Sequence, residues 1–203
     1  MGFRVLQGYG TTECSPVISA TPMNDHNYIS VGKPLPGVAV RINGDNEILV
    51  CGPNVALGYW KNEAATAEAF KDGWYYTSDL GYMDKDQNLY LKGRKKNLIV
   101  LANGLNVYPE DVENALQADT RLREAIVLGI DKNQQGPEVH AVLLMENPEQ
   151  AKQVVQQANK QLASHQQIRS YTIWPEPDFP RTHTLKVRRS EVQRHLQTPQ
   201  TTS

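Results

Sequence analysis

Apolar and polar residues change their spacing along this chain, and the change falls near residue 94. Upstream, the pattern is one of strands and turns. Val38-Ala39-Val40-Arg41-Ile42 and Glu47-Ile48-Leu49-Val50 are alternating or apolar runs flanking Asn43-Gly44-Asp45-Asn46, and an Asn-Gly between two such runs predicts a hairpin. Asn62 is placed to cap a short alanine-rich helix, Glu63 to Phe70, which Asp72-Gly73 ends. A second hairpin is expected from Leu80 to Gly93, with Gly81-Tyr82-Met83 pairing Leu89-Tyr90-Leu91 across the polar turn Asp84 to Asn88. These elements predict a compact, largely antiparallel unit over residues 1–93.

Downstream, helical spacing alternates with short apolar runs. Leu98 to Leu101 reads as a strand. Pro109-Glu110-Asp111 opens a helix through about Ala118, with Val112, Ala115 and Leu116 as its apolar stripe. Proline suits the first helical position, and acidic residues there complement the helix dipole. Ala125 to Ile130 and Val139 to Leu144 are buried-strand candidates joined by a polar turn with Gly136-Pro137. Pro148 to about Ser164 carries Ala151, Val154, Val155, Ala158 and Leu162 at helical spacing. Tyr171 to Trp174 is a last strand, and the polar tail from Gln197 is expected to fray. The class predicted is mixed α/β (α+β): a β-rich first part, residues 1–93, and a small α/β second part, residues 98–203. Between them Arg94-Lys95-Lys96-Asn97 is either a hinge or a solvated turn.

Composition narrows the function. Among 203 residues, 21 Lys and Arg face 22 Asp and Glu, a formal charge of −1. That balance argues against a general nucleic-acid binder. No apolar run approaches the roughly 20 residues that span a bilayer, and Met1 to Leu6 does not read as a signal peptide. Cys14 and Cys51 lack the spacing of a zinc site or a disulfide framework. They fit two partly buried thiols in a reducing cytosol, so a cytoplasmic location is expected.

Several short stretches could carry chemistry. In Gly8-Tyr9-Gly10-Thr11-Thr12-Glu13, the glycines allow close backbone approach to a ligand, the hydroxyls could bond phosphate oxygens, and the carboxylate could hold Mg²⁺ beside phosphate. The same hexapeptide equally suits a turn with a helix cap. Asp79, after Gly73-Trp74-Tyr75-Tyr76-Thr77-Ser78, could accept two hydrogen bonds from vicinal ribose hydroxyls or cap a turn. Gly104 allows a positive φ or a close ligand. Lys186, within Pro180 to Arg189, could clamp an anionic transition state or sit on a basic surface strand.

The order of these stretches carries more than any one of them. Tyr9 to Glu13, Gly73 to Gly81, Gly93 to Asn97, Asn106 to Glu113 and Pro180 to Arg189 together resemble the adenylate-forming superfamily, which includes acyl-CoA synthetases, luciferases and peptide-synthetase adenylation domains. Gly93 to Glu113 most resembles bacterial long-chain fatty acid–CoA ligases. The resemblance runs from Gly8 to Arg189. It implies the last, β-rich subdomain of a large N-terminal domain followed by a small mobile C-terminal domain, with the phosphate-gripping loop and most of the acyl pocket lying upstream of this chain.

The resemblance also implies roles. Tyr9 would stack on adenine, beside Gly10 and Thr11. Thr12 would bond the AMP phosphate, and Glu13 would hold Mg²⁺. Asp79, with Arg94 assisting, would accept the ribose hydroxyls, and Lys96 would be the hinge. Gly104 would line the pantetheine tunnel of coenzyme A, and Lys186 would bridge the acyl carboxylate and the α-phosphate of ATP. The expected partners are a fatty acid, CoA and the upstream portion of the enzyme, with no nucleic acid and at most a peripheral membrane contact. Transfer to a carrier-protein thiol and a non-catalytic binding module are the alternatives. Two departures stand out. Ser78 occupies a position where the family usually has glycine, tolerable at negative φ, and Leu185 precedes the lysine where many members have glycine.

Overall fold

A computed structural model of the protein describes residues 5–25, 27–131 and 135–197. Most of the N-terminal hexapeptide and the expected frayed tail beyond Gln197 lie outside the described residues. The chain divides into two compact units, Met1–Lys96 and Asn97–Ser203, and the whole is a strand-rich α/β fold.

In the first unit a small antiparallel sheet has Ser19–Ala20 at its centre, flanked by Gly8–Tyr9 and Lys33–Pro34. The larger sheet is built around Trp74–Met83. Glu47–Cys51 pairs with one edge of that strand, and Ala39–Ile42 extends the sheet beyond it. Phe70–Lys71 and Leu89–Arg94 pair with it as well. The second expected hairpin has the register read from sequence, with Gly81 opposite Leu91, Tyr82 opposite Tyr90 and Met83 opposite Leu89.

Two turns differ from expectation in kind. In the first hairpin the left-handed residue is Asn46 (φ 62°), not Gly44, and the Asn43 side-chain oxygen accepts the Asp45 and Glu47 amides. The helix spans Glu63–Ala69, its start capped by Asn62, whose oxygen accepts the Ala65 amide. Asp72-Gly73 does not end that helix. Both residues have positive φ (52° and 77°) and join Phe70–Lys71 to Trp74–Met83 as a two-residue hairpin turn of the kind whose twist suits paired strands. Tyr9, Cys14, Ile18, Val31, Ile48, Val50, Tyr75 and Leu89 form the core of this unit.

The second unit is a three-stranded mixed sheet covered on both faces. Glu124–Ile130 runs antiparallel to Glu138–Leu144, and Ser170–Ile173 runs parallel to the latter. Val127, Ala141 and Leu143 pack with Val112 and Leu116 of helix Pro109–Gln117 and Val154 of helix Ala151–Asn159. Alternate residues Ile126, Leu128, Val142 and Leu144 pack with Trp174, Phe179 and Val192. Burial on both faces is why these strands read as continuous apolar runs. The helix expected to reach Ser164 stops at Asn159, whose side-chain amide instead bonds the backbone N–H and C=O of Ile168. Helix Arg189–Gln197 had no counterpart in the sequence reading. It is largely polar and is held by Val192, buried beneath it, and by the His195 ring 4.7 Å from Trp174. Cys14 and Cys51 are free thiols, and burial pushes the Cys14 thiol pKa up. No helix of the described residues is long and apolar enough to cross a membrane.

Candidate active site

The chain folds tightly from Tyr9 to Val17. A side chain at Gly10 would put Cβ 1.7 Å from the Pro16 carbonyl oxygen, so this glycine serves the return of the chain upon itself. Thr12–Cys14 forms a single 3₁₀ turn. The segment from Asn54 to Tyr59 straps that turn in place. The Asn54 side-chain amide donates to the Cys14 and Val17 carbonyls, the Ala56 amide donates to the Glu13 carbonyl at 2.7 Å, and the Tyr59 hydroxyl donates to Glu13 Oε1 at 2.8 Å. Burial raises the Glu13 pKa, but hydrogen bonds from its own backbone and from the Tyr59 and Tyr75 hydroxyls outweigh it, and the carboxyl lies below its usual range. The Thr11 hydroxyl oxygen is buried and makes no hydrogen bond of good geometry.

Asp79 is 6% exposed and is aimed by a bulge. Leu49 pairs with Tyr76 and Glu47 with Leu80, so Ile48 alone faces Thr77, Ser78 and Asp79. Side chains replace the lost ladder bonds. The Thr77 hydroxyl donates to the Ile48 carbonyl at 2.8 Å and accepts the Asp79 amide at 3.0 Å. The Ser78 amide donates to Glu47 Oε1 at 3.1 Å. Bulges turn side chains out of the ladder and are common beside functional sites. Here the Asp79 carboxylate accepts the Tyr9 hydroxyl on Oδ2 and pairs with Arg94 Nε on Oδ1, both at 2.6 Å. Burial, with the Asp79 charge adding to it, raises the Tyr9 pKa far above that of a free phenol, which keeps this hydroxyl a donor. The condition under which Ser78 would be tolerated is not met: its φ is 59°. The bulge imposes the left-handed conformation, and Glu47 holds the resulting amide.

Lys95, next to Arg94, reaches Glu47 Oε2 at 3.0 Å and Asp45 at 3.1 Å. Lys96 is exposed and is the last residue of the first unit.

Two further predicted site residues lie in the second unit. Gly104 is at the tip of the hairpin formed by Ile99–Val100 and Asn106–Val107, with φ 79° and open space around it. Lys186 is exposed at the end of a tight turn. The Thr182 amide donates to the Lys186 carbonyl, Leu185 donates to the Thr182 carbonyl, and the Lys186 amide donates to the Thr182 hydroxyl. Leu185, 74% exposed, has φ 64°. Both positions where this chain departs from the expected glycine are therefore left-handed. Arg181 braces the turn by donating to the Leu185 carbonyl at 3.1 Å while pairing with Asp178 and Glu124.

The structure thus brings Tyr9, Asp79 and Arg94 into contact and fixes Glu13 nearby in the same unit. Sequence reading missed Tyr59, Thr77 and Glu47. Glu47 was visible only as the first residue of an ordinary strand, and the Gly58-Tyr59 pair just before the Asn62 cap was the one signal for Tyr59.

The first unit thus holds a carboxylate–phenol–guanidinium cluster and the second a lysine turn, and comparison with known proteins gives the family. The family model for AMP-binding enzymes matches residues 1–60, and that for the AMP-binding enzyme C-terminal domain matches residues 96–198. The chain belongs to the AMP-binding enzyme family.

A long-chain-fatty-acid–CoA ligase of Mycobacterium bovis is 46% identical over 128 residues, 63% of this chain and 21% of that protein. One from Salmonella typhimurium is 35% identical over 158 residues, 72% of this chain and 28% of that protein. The chain therefore spans between a fifth and a third of the length of these relatives. Among solved structures, o-succinylbenzoate CoA synthetase from Bacillus subtilis in complex with its acyl-adenylate intermediate superposes with a TM-score of 0.86 at 31% identity, covering 94% of this chain and 41% of that one.

Proposed function

We propose that this chain is the C-terminal portion of an ATP-dependent acyl-CoA synthetase that activates a fatty acid and passes it to CoA. The observation that carries the reading is the Asp79 carboxylate, buried, turned out by a bulge and held between Tyr9 and Arg94. An ionised carboxylate is an acceptor at both oxygens, which matches in kind the two donor hydroxyls of a nucleotide's ribose. A site fixed in advance loses little freedom on binding.

In this reading adenine lies against Tyr9, with Gly10 and Thr11 beside it, and Thr12 bonds the AMP phosphate. Glu13 fits a magnesium site. It is an oxygen donor kept ionised by its neighbours, and the orphaned Thr11 hydroxyl lies in the same tight turn. Bound Mg²⁺ supplies neutralisation of phosphate charge.

The fatty acid carboxylate attacks the α-phosphorus of ATP, forming the acyl–phosphate bond as the bond to pyrophosphate breaks. The nucleophile is already anionic, so positioning and charge neutralisation carry the step. Lys186, a compact and mobile charge on an exposed turn, neutralises the acyl carboxylate and α-phosphate oxygens together. The CoA thiol then attacks the acyl carbon and AMP leaves, with the pantetheine arm passing Gly104. Lys96 is the pivot between the two half-reactions. The upstream portion supplies the phosphate loop and acyl pocket. The two free thiols support a cytoplasmic location.

The test is ATP–pyrophosphate exchange with a panel of fatty acids, using the full-length protein with and without Lys186→Ala. Exchange that collapses in the variant, while CoA transfer from supplied acyl-AMP survives, is expected. Normal exchange in the variant would reduce Lys186 to a surface charge. Transfer to a carrier-protein thiol but not to CoA would favour the other acceptor. The present chain by itself is expected to show no exchange with palmitate, and robust exchange would overturn the assignment of the phosphate loop and acyl pocket to an upstream portion.

A further inference from the structure

We propose that Glu47 is a positioning residue for Asp79. This rests on the reading of Asp79 as the ribose acceptor. Glu47 is 4% exposed, and a carboxylate so buried is stable only when its oxygens are paired. One oxygen accepts the Ser78 amide at 3.1 Å, and the other pairs with Lys95 at 3.0 Å. Ser78 is the left-handed step, φ 59°, that directly precedes Asp79.

A serine in that conformation is strained relative to glycine, so the bulge must be held from outside. Glu47 sits where it can hold it, at the strand position facing Leu80 where the bulge closes. Two consecutive residues complete the arrangement: Arg94, the last residue of strand Leu89–Arg94, reaches Asp79, and Lys95, the first of the 3₁₀ turn that follows, reaches Glu47. The carboxylate that would touch the nucleotide and the carboxylate that aims it are thus neutralised by cations adjacent in sequence, at the junction of a strand and a 3₁₀ turn.

The reading separates from that of a plain stabilising ion pair through Ser78. If Glu47 acts by holding the left-handed step, Ser78→Gly removes the need for it, because glycine takes that conformation without strain. If Glu47 merely pairs with Lys95, Ser78→Gly has nothing to rescue.

The experiment uses the full chain and four variants: Glu47→Leu, Glu47→Gln, Ser78→Gly and the Glu47→Leu/Ser78→Gly double variant. Proton exchange at Arg94 Nε–H, followed by NMR without nucleotide, reports the Asp79–Arg94 contact. AMP affinity is measured alongside by titration. Glu47→Leu is expected to speed Arg94 Nε–H exchange by at least about tenfold and weaken AMP by about tenfold, with Ser78→Gly restoring most of both. Glu47→Gln, which keeps an oxygen for the Ser78 amide, is expected to fall between.

Unchanged exchange in a folded Glu47→Leu protein, or absence of rescue, would overturn the positioning role. Should Glu47→Leu not fold, unchanged exchange and affinity in Glu47→Gln, which is expected to fall between, would overturn it equally. AMP that leaves the Tyr9 and Asp79 resonances of the unsubstituted chain unmoved would instead overturn the nucleotide reading, and with it any role of Glu47 in nucleotide binding, whatever Arg94 does.

Discussion

The two units differ in how completely they cover their own apolar residues. In the second, both faces of a three-stranded sheet are packed, and the described large hydrophobic residues left exposed are Val100, Leu105, Tyr171 and Leu185. In the first, one core of eight residues coexists with exposed Val5, Leu6, Met23, Tyr28, Ile29, Leu57 and Trp60, the last two 101% and 88% exposed. Exposed apolar residues of this kind, where they are contiguous, mark a surface that is covered by a partner. The site chemistry divides the other way. Asp79 and Tyr9 are buried and prearranged in the less complete unit, whereas Lys186 stands exposed on the more complete one. In the proposed reading, burial fixes the group that would recognise the nucleotide, and exposure suits a charge that would come and go.

The largest effect expected from this contrast is Leu143→Ala. That residue is wholly buried in the second unit, and its loss should cost about 3 kcal/mol. Calorimetry should show only the second unit's transition moving, and a joint shift of the whole chain would merge the two units into one cooperative block. Trp60→Ser is the counterpart in the first unit. It should leave stability within about 0.5 kcal/mol yet visibly lower hydrophobic-dye binding and self-association.

Next is Arg189→Met. Arg189 pairs with Glu113 at 2.6 Å, and Glu113 also accepts the Val127 amide at 2.7 Å. Burial raises the Glu113 pKa against the opposing pull of Arg189. A raised carboxyl pKa contributes stability at low pH that is lost as pH rises through the folded value. Without the guanidinium that loss should deepen, costing about 2 kcal/mol at pH 7. Denaturant melts at pH 4 and pH 7 would show it, and equal losses at both would refute it.

A smaller effect has the opposite sign. Arg121 holds the Asp119 carboxyl, and Arg181 the Asp178 carboxyl, at about 2. Depressed values contribute stability present above the unfolded pKa and lost as pH falls toward 2. The acid limb of the second unit's melting temperature should therefore be shallower in Asp119→Asn and Asp178→Asn. Unaltered slopes would remove these pairs from the account. Smallest of all, Ser78→Gly and Leu185→Gly should each raise stability by up to about 1 kcal/mol, one in each unit. A loss at either would mean that its left-handed conformation is not strained.

How much of this was legible beforehand depended on whether the signal was local. The register of Gly81 to Met83 against Leu89 to Leu91, the Asn62 cap and the Pro109 start all rest on neighbours in sequence, and the structure has them as read. Helix Arg189–Gln197 escaped because its order comes from Val192 meeting a distant sheet. Asp72-Gly73 fits both a helix stop and a hairpin turn, and only the pairing of Phe70 with Tyr75 decides between them. In the site, residue types pointed to Tyr9, Asp79 and Arg94. That the Tyr9 hydroxyl is donated to Asp79, and that Glu47 sustains Ser78, could not be read, because the partners lie 70 and 31 residues apart.

The parallel pairing of Ser170–Ile173 has a consequence in time. The antiparallel strands Glu124–Ile130 and Glu138–Leu144 are sequence neighbours and can zip as a hairpin early. The third strand must wait until helix Ala151–Asn159 has carried the chain across the sheet, and non-local pairing of that kind is slow. Lys186 lies beyond that strand, on a turn braced by Glu124 from the far edge of the sheet. During synthesis from the N-terminus, the lysine would be the last of the site residues to find its place.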